Sequence, residues 1–209
     1  MKSVLLIFLL VIAGCRPLFS QPFHGGLFAG LTASQVDGDS YAGYDRAGLQ
    51  GGVFISTLFT QILGARLEIK YTSRGARKPV NSNNTDVYKL NLHYVDLPLL
   101  ITLQVKKIGQ IEMGLVPGYL FTASGEDNGG ELPDDFLVDF RKFDLGTLVG
   151  INVGITPKIA MNVRYSYSIF SIRGQESAGA YYSWFGKIFG HSVGDYNNYL
   201  TFAVSYLIK

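Results

Sequence analysis

Large apolar residues recur at every second position along much of the chain. At the C-terminus Phe202, Val204, Tyr206 and Ile208 form one set, and Thr201, Ala203 and Ser205 the other, with Leu207 the one large apolar residue among them. Over 159–169, Ile159, Met161, Val163, Tyr165, Tyr167 and Ile169 alternate with Ala160, Asn162, Arg164, Ser166 and Ser168. Over 143–155, Phe143, Leu145, Val149, Ile151, Val153 and Ile155 alternate with Asp144, Gly146, Gly150, Asn152 and Gly154. A helix would scatter each set over all its faces, whereas a strand puts residues i, i+2 and i+4 on one face. Gly146, Gly150 and Gly154 also spell a small-residue ladder of the kind that joins membrane helices. Pro157 and Lys158 end that segment too early for a spanning helix, so the glycines are read as small inward-facing residues.

Extended to the whole chain, this pattern predicts eight strands, near 24–34, 47–59, 62–74, 88–104, 110–124, 141–156, 158–171 and 197–208. Their connections alternate in length. Thr60-Gln61, Val105 to Gly109 and the neighbours of Pro157 are short, while 35–46, 75–87, 125–140 and 172–196 are long. Short turns on one rim and long loops on the other are the mark of an outer-membrane barrel, with the turns periplasmic and the loops extracellular. Past residue 20 no apolar run reaches the ~18 residues of a spanning helix, so a membrane could be crossed only by a closed barrel. A soluble eight-stranded barrel would put its apolar face inside. Here one face carries bulky aliphatics and aromatics and the other Gly, Ser, Thr, Asn and charge, which suits lipid outside and a polar lumen. The expected fold is therefore all-β, an eight-stranded antiparallel transmembrane barrel.

Composition agrees. The 209 residues are 47% apolar and only 16% charged, with 25 Gly, 14 Phe and 13 Tyr, against about 25% charged residues in an ordinary soluble domain. The N-terminus reads as an export signal: Lys2 is a minimal basic region, Val4 to Ala13 an apolar core, and a polar segment follows. Cleavage after Ser20 would start the mature chain at Gln21, leaving 1–20 as signal and 21–209 as the barrel domain. Ile12-Ala13-Gly14-Cys15 also fits a lipobox, in which the single cysteine, Cys15, would be lipidated. With Lys2 and Arg16 set aside, 16 basic residues face 16 acidic ones, and no polybasic patch suggests nucleic acid.

Several segments in order resemble the PorT-like outer-membrane β-barrels of Bacteroidetes. They are Gly26-Leu27-Phe28-Ala29-Gly30-Leu31-Thr32, Leu67-Glu68-Ile69-Lys70-Tyr71 running to Arg74-Gly75, Leu92-His93-Tyr94-Val95-Asp96-Leu97-Pro98-Leu99-Leu100, and the closing strand. The resemblance covers nearly all of 21–209 and implies an eight-stranded barrel in the Gram-negative outer membrane. It implies no single activity, since one member of that family is tied to protein secretion and most are uncharacterised. Such chains usually end on an aromatic or apolar residue recognised by the barrel assembly machinery. This one ends on Lys209, so Phe202, Val204, Tyr206 and Ile208 are the expected assembly signal.

Candidate chemistry is sparse. His24, His93 and His191 lack metal-ligand spacing, no nucleophile or phosphate-loop motif sits in a suitable context, and no metal or cofactor is expected. His191, Ser192 and Asp195 share the last long loop and keep a rim-sited lipid-modifying or hydrolytic enzyme open as the alternative reading. The strand phase turns Arg66, Glu68, Lys70, Asp96, Glu112, Asp144 and Arg164 into the lumen, where Arg164 is expected to pair with Glu112 or Asp144. An eight-stranded lumen is just wide enough to be filled by side chains, so these charges are expected to pair into a plug. The last loop carries Tyr181, Tyr182, Trp184, Phe185, Phe189 and Tyr196, a density suited to recognition or to the upper aromatic girdle. Loop three carries Glu126, Asp127, Glu131, Asp134 and Asp135, without the order of a calcium loop. The expected role is structural, adhesive or secretion-accessory. Expected partners are outer-membrane lipid and lipopolysaccharide, the assembly machinery, and an extracellular or envelope protein.

Overall fold

Antiparallel pairing closes the alternating segments into a ring. The computed structural model describes residues 22–39, 43–79, 86–106, 109–128, 130–173 and 194–208. Among the described residues the strands are β1 (His24–Asp37), β2 (Arg46–Leu58), β3 (Leu63–Lys78), β4 (Tyr88–Asp96), β5 (Leu99–Val105), β6 (Gly109–Asp127), β7 (Gly130–Glu131), β8 (Phe143–Gly154), β9 (Ile159–Ser168) and β10 (Tyr196–Leu207), with a short helix, α1 (Asp134–Val138). β4 and β5 both pair with β3 and β6 and so fill a single place in the ring. The order β1, β2, β3, β4/β5, β6, β8, β9, β10 returns to β1, an eight-stranded barrel with every neighbour antiparallel.

The expected strand 88–104 is interrupted because Pro98 has no N–H to give to the ladder. The wall stays joined there: Leu97 N donates to Pro117 O at 2.8 Å and Glu68 N to Pro98 O at 3.0 Å. Elsewhere the strands run further toward the long-loop rim than the sequence pattern suggests, to Asp37, Lys78 and Asp127. β6, at 19 residues, far exceeds the ~9–11 that cross a bilayer, so the barrel stands proud of the membrane on that side. Loop three is not merely a loop, for β7 pairs back on β6 and α1 follows it.

The outward face carries the apolar band. Phe202, Val204, Tyr206 and Ile208, Met161 and Val163, and Val149, Ile151 and Val153 are all exposed, while Thr201, Ala203 and Ser205, Asn162 and Arg164, and Asn152 are buried. Tyr167 departs from that band. It keeps the outward phase yet is only 3% exposed, its ring stacked on Tyr196 at 6.0 Å. Near the upper edge of the band the Tyr71 hydroxyl lies 2.6 Å from His93 Nδ1, and Phe121 packs beside both rings. Tyr119 and Phe143 meet edge-on at 5.2 Å. These aromatics sit where an interfacial girdle belongs.

Candidate functional site

The lumen has three storeys. The middle one is ionic, because inward positions on strands from opposite sides of the ring carry opposite charges. Arg164 on β9 donates from Nη1 to Glu68 Oε2 at 2.9 Å, from Nη2 to Glu68 Oε1 at 2.8 Å and from Nε to Glu112 Oε2 at 2.7 Å. Arg66 Nε donates to Glu68 Oε1 at 2.6 Å, and its Nη1 lies 3.8 Å from Glu112 Oε1. The glycine ladder makes room: a Cβ on Gly150 would lie 2.5 Å from Arg164 Cγ.

A second ionic group lies closer to the long loops. Arg74 Nη2 lies 3.1 Å from Asp144 Oδ2 and 3.5 Å from Asp96 Oδ1, and its guanidinium rests 3.7 Å over the Tyr94 ring and 4.8 Å from that of Tyr199. Asp144 also accepts from Ser168 Oγ at 2.8 Å and Asn197 Nδ2 at 3.0 Å. Lys70, between the groups, points its Nζ at Gln50 Oε1, 3.4 Å away.

All seven inward charges named from the sequence are buried in the barrel. Asp144, however, does not meet Arg164. Its partner is Arg74, at the end of the expected strand 62–74 beside Gly75. Arg74 shares the even-numbered phase of Arg66, Glu68 and Lys70, and that parity was the signal that could have found it. With it, Arg66, Lys70, Arg74 and Arg164 balance Glu68, Asp96, Glu112 and Asp144, and Arg46 and Asp195 add one buried charge of each sign, so the buried set among the described residues is neutral. Neutrality matters because an unpaired ion in such surroundings costs several kcal/mol.

The storey under the long loops corrects the expectation of a polar inner face throughout. Val36, Ala76, Tyr88, Leu90, Leu92, Tyr94 and Leu120 point inward there and form one buried cluster with Leu132, Phe140 and Ile172 from the loops. Phe136 and Leu137 of α1 pack on it. Loop three thus folds over the mouth as a lid. It is tied to loop four by Arg141 N donating to Ile172 O at 2.7 Å and by Arg173, which reaches Asp139 at 3.7 Å and Asp195 at 3.4 Å and covers the Phe136 ring at 3.9 Å.

The storey at the short-turn rim is open, a vestibule of about 350 Å³ lined by residues including His24, Phe54, Arg66, Asn152, Lys158 and Ser205.

Of the rim-enzyme set, Asp195 is buried and ion-paired to Arg173, while His191 and Ser192 lie outside the described residues. Tyr181, Tyr182, Trp184, Phe185 and Phe189 also lie outside them, as do Cys15 and the rest of the expected leader. His24 lines the vestibule and His93 faces outward at the girdle, and among the described residues no three metal-ligating side chains cluster. The acids of loop three are exposed, with Glu126 3.9 Å from Lys89.

Solved structures of two proteins are similar to this chain. Ail, the attachment invasion locus protein of Yersinia pestis, aligns over 88% of this chain and 98% of its own, at 14% identity and a TM-score of 0.50, a likeness of fold alone. Neisserial surface protein A aligns over 90% and 98%, at 12% identity and a TM-score of 0.47. Among curated proteins, no sequence matches significantly. The family model described as outer membrane protein beta-barrel domain matches residues 19–174. With most of the chain inside that match and a lipid-facing barrel around a filled lumen, this protein belongs to the outer-membrane β-barrel domain family, and its place is the outer membrane.

Proposed function

We propose that this protein is a closed outer-membrane scaffold that acts at the cell surface through its loops, in a structural, adhesive or secretion-accessory role. The observation that carries the reading is the filled lumen: ion pairs cross it at mid-height and an apolar lid covers its outer mouth. A side-chain-filled barrel has no aqueous path for solutes, so chemistry toward partners falls to the loops, where binding residues are commonly displayed on rigid scaffolds. Of the loops, the one between β9 and β10 is the longest and richest in aromatics, with Tyr181, Tyr182, Trp184, Phe185 and Phe189 as its recognition residues. The resemblance to PorT-like barrels supports secretion assistance as one form of this role. The rim-enzyme alternative is weakened by Arg173, which already holds Asp195.

In this reading the chain is exported by its N-terminal segment, cleaved after Ser20 or lipidated at Cys15, and is inserted by the assembly machinery through the Phe202, Val204, Tyr206 and Ile208 face. Its partners are lipopolysaccharide around the barrel and an extracellular or envelope protein on the loop. The test is to replace 174–193 by a short Gly-Ser turn. The barrel is expected to remain folded and heat-modifiable while surface binding or the deletion phenotype is lost. Full function in the trimmed protein would refute the loop assignment.

A further inference from the structure

The outer wall above the aromatic girdle carries charge that the scaffold role does not use. The β2–β3 ladder stops at Gln50 opposite Thr72, and side chains of β1 take over the edge of β3 beyond it. Thr32 Oγ1 donates to Ser73 O at 2.6 Å, while Ser34 Oγ donates to Gly75 O and accepts from Gly75 N, both at 3.0 Å. Through this seam Arg46 of β2 reaches the outer side of β3 and β4. Its Nε donates to Asn91 Oδ1 at 2.9 Å, its Nη2 to Ser73 Oγ at 2.8 Å and its Nη1 to Ala47 O. Ser73 and Asn91 share the outward, odd-numbered phase of Tyr71 and His93, the girdle pair beside them. All three acceptors are neutral, whereas Arg66, Arg74 and Arg164 in the lumen each meet a carboxylate. Arg77, which is exposed, and Lys89 face each other in the same outward phase, one pair beyond Gly75 and Asn91, and the like charge of Arg77 acts on Arg46. Among the described residues no ion pair engages Arg46 or Arg77. The acids nearby are Glu126, 3.9 Å from Lys89 with both side chains about half exposed, and Asp86, held by Lys78 at 3.0 Å. Three cations therefore face one loosely held carboxylate at the edge of the apolar band, the level of lipid headgroups. Guanidinium and ammonium groups in such a place pair with phosphate. From Ser73 to Arg77 is about 13 Å along a strand, more than one phosphate spans, so the patch suits a headgroup carrying two separated phosphates.

We infer that this patch docks the phosphorylated sugar headgroup of a lipopolysaccharide in the outer leaflet. Arg77 and Lys89 meet its phosphates, Arg46 supplies a fixed charge from the wall beneath, and the first acyl carbons lie against Tyr71 and Phe121. The site rests on the lipopolysaccharide partner proposed above and gives it a place on the wall. It lies apart from the loop 174–193, so the wall site and the loop assignment can fail separately.

The test uses the full barrel in phosphatidylcholine nanodiscs, following the backbone amide resonances of Arg77, Asn91 and His93 as lipid is added. The probes are lipid A with two phosphates, lipid A with both removed, and phosphatidylglycerol. The first should shift the resonances saturably, at a mole fraction about tenfold below that needed by either of the others. The double change Arg77→Gln with Lys89→Gln should raise that fraction about tenfold, and Arg46→Gln about threefold. Lys158→Gln at the opposite rim, and replacement of 174–193 by a Gly-Ser turn, should leave it within about twofold. If Arg46→Gln does not fold, the double variant decides, because both of its side chains reach the surface. Absence of saturable shifts, equal binding of dephosphorylated lipid A or phosphatidylglycerol, an unweakened double variant, or loss of binding on trimming 174–193 would overturn the site. So would equally tight binding of the free, deacylated bisphosphorylated headgroup, which would make the patch a site for soluble anions.

Discussion

Arg164 and Glu68 reach each other straight across the barrel. They sit on β9 and β3, four places apart in either direction round the ring of eight, yet two hydrogen bonds of 2.9 and 2.8 Å join them. One side-chain pair therefore spans the lumen's full width, and Nε of the same guanidinium holds Glu112 at 2.7 Å. The pair acts as a cross-brace, and it also blocks the path along the axis.

Removing the arginine alone should be costly. Arg164→Met leaves Glu68 and Glu112 to share Arg66 alone, and breaking a buried pair in this way costs about 3–5 kcal/mol. Adding Glu112→Gln, which keeps Arg66 paired with Glu68, should recover part of that loss, because these residues form one unit. Urea unfolding in detergent micelles reads the difference; strictly additive losses would mean that the carboxylates do not depend on the arginine.

The space beside Arg164 is equally constrained. A Cβ at Gly150 would lie 2.5 Å from Arg164 Cγ and 2.7 Å from Val163 O, so neither the side chain nor the wall can simply move aside. Gly150→Ala should cost about 1–3 kcal/mol, as overpacking does. At Gly154, where an added Cβ meets nothing within 4 Å, the same change should be nearly silent in the same unfolding assay.

Lipid-facing and inward positions should differ sharply in what they tolerate. Val163→Arg or Val204→Arg places a charge in the apolar band at a cost of ~2–4 kcal/mol near mid-membrane. Thr201→Val on the inner face removes a buried hydroxyl that has no hydrogen-bond partner, and should change stability by less than about 1 kcal/mol. Folded yield in lipid vesicles is the readout, and equal effects at both faces would contradict the phase.

The lid should open without unfolding the barrel. Phe140 is buried in the outer apolar cluster and bridged to Arg173, and truncating such a ring costs ~3–5 kcal/mol. Phe140→Ala is expected to speed hydrogen exchange of amides in 130–140 while those of β8 and β9 stay protected. Uniform loss of protection would show that lid and barrel form one cooperative unit.

Much of this was legible in the sequence because lipid outside and a filled lumen inside impose a strict period of two. The clean alternation of β8, β9 and β10 fixed their phase, and with it the inward turn of Asp144 and Arg164. Legibility failed where a different constraint took over. Above the membrane the barrel faces water outside, so Leu90, Leu92 and Leu120 turn inward to form a small dry core, and a rule of polar lumen residues misreads them. Arg74 was missed because Gly75, with a φ of +147°, looks like the end of a strand although β3 runs through it to Lys78. Which carboxylate an inward arginine meets depends on positions across the ring, and no local pattern encodes that. The lid could not be foreseen either, since α1 is too short to show helical periodicity and owes its place to Phe136 and Leu137 packing on the barrel mouth.

The closed lumen is tested most directly by single-channel recording of the purified, refolded protein in planar bilayers. Because Arg164 still crosses the lumen to Glu68 when the lid is removed, the intact barrel and a variant lacking 128–142 should both show no stable conductance steps above the bare membrane. Reproducible, long-lived openings from the intact protein would contradict the account and make the lumen a pore.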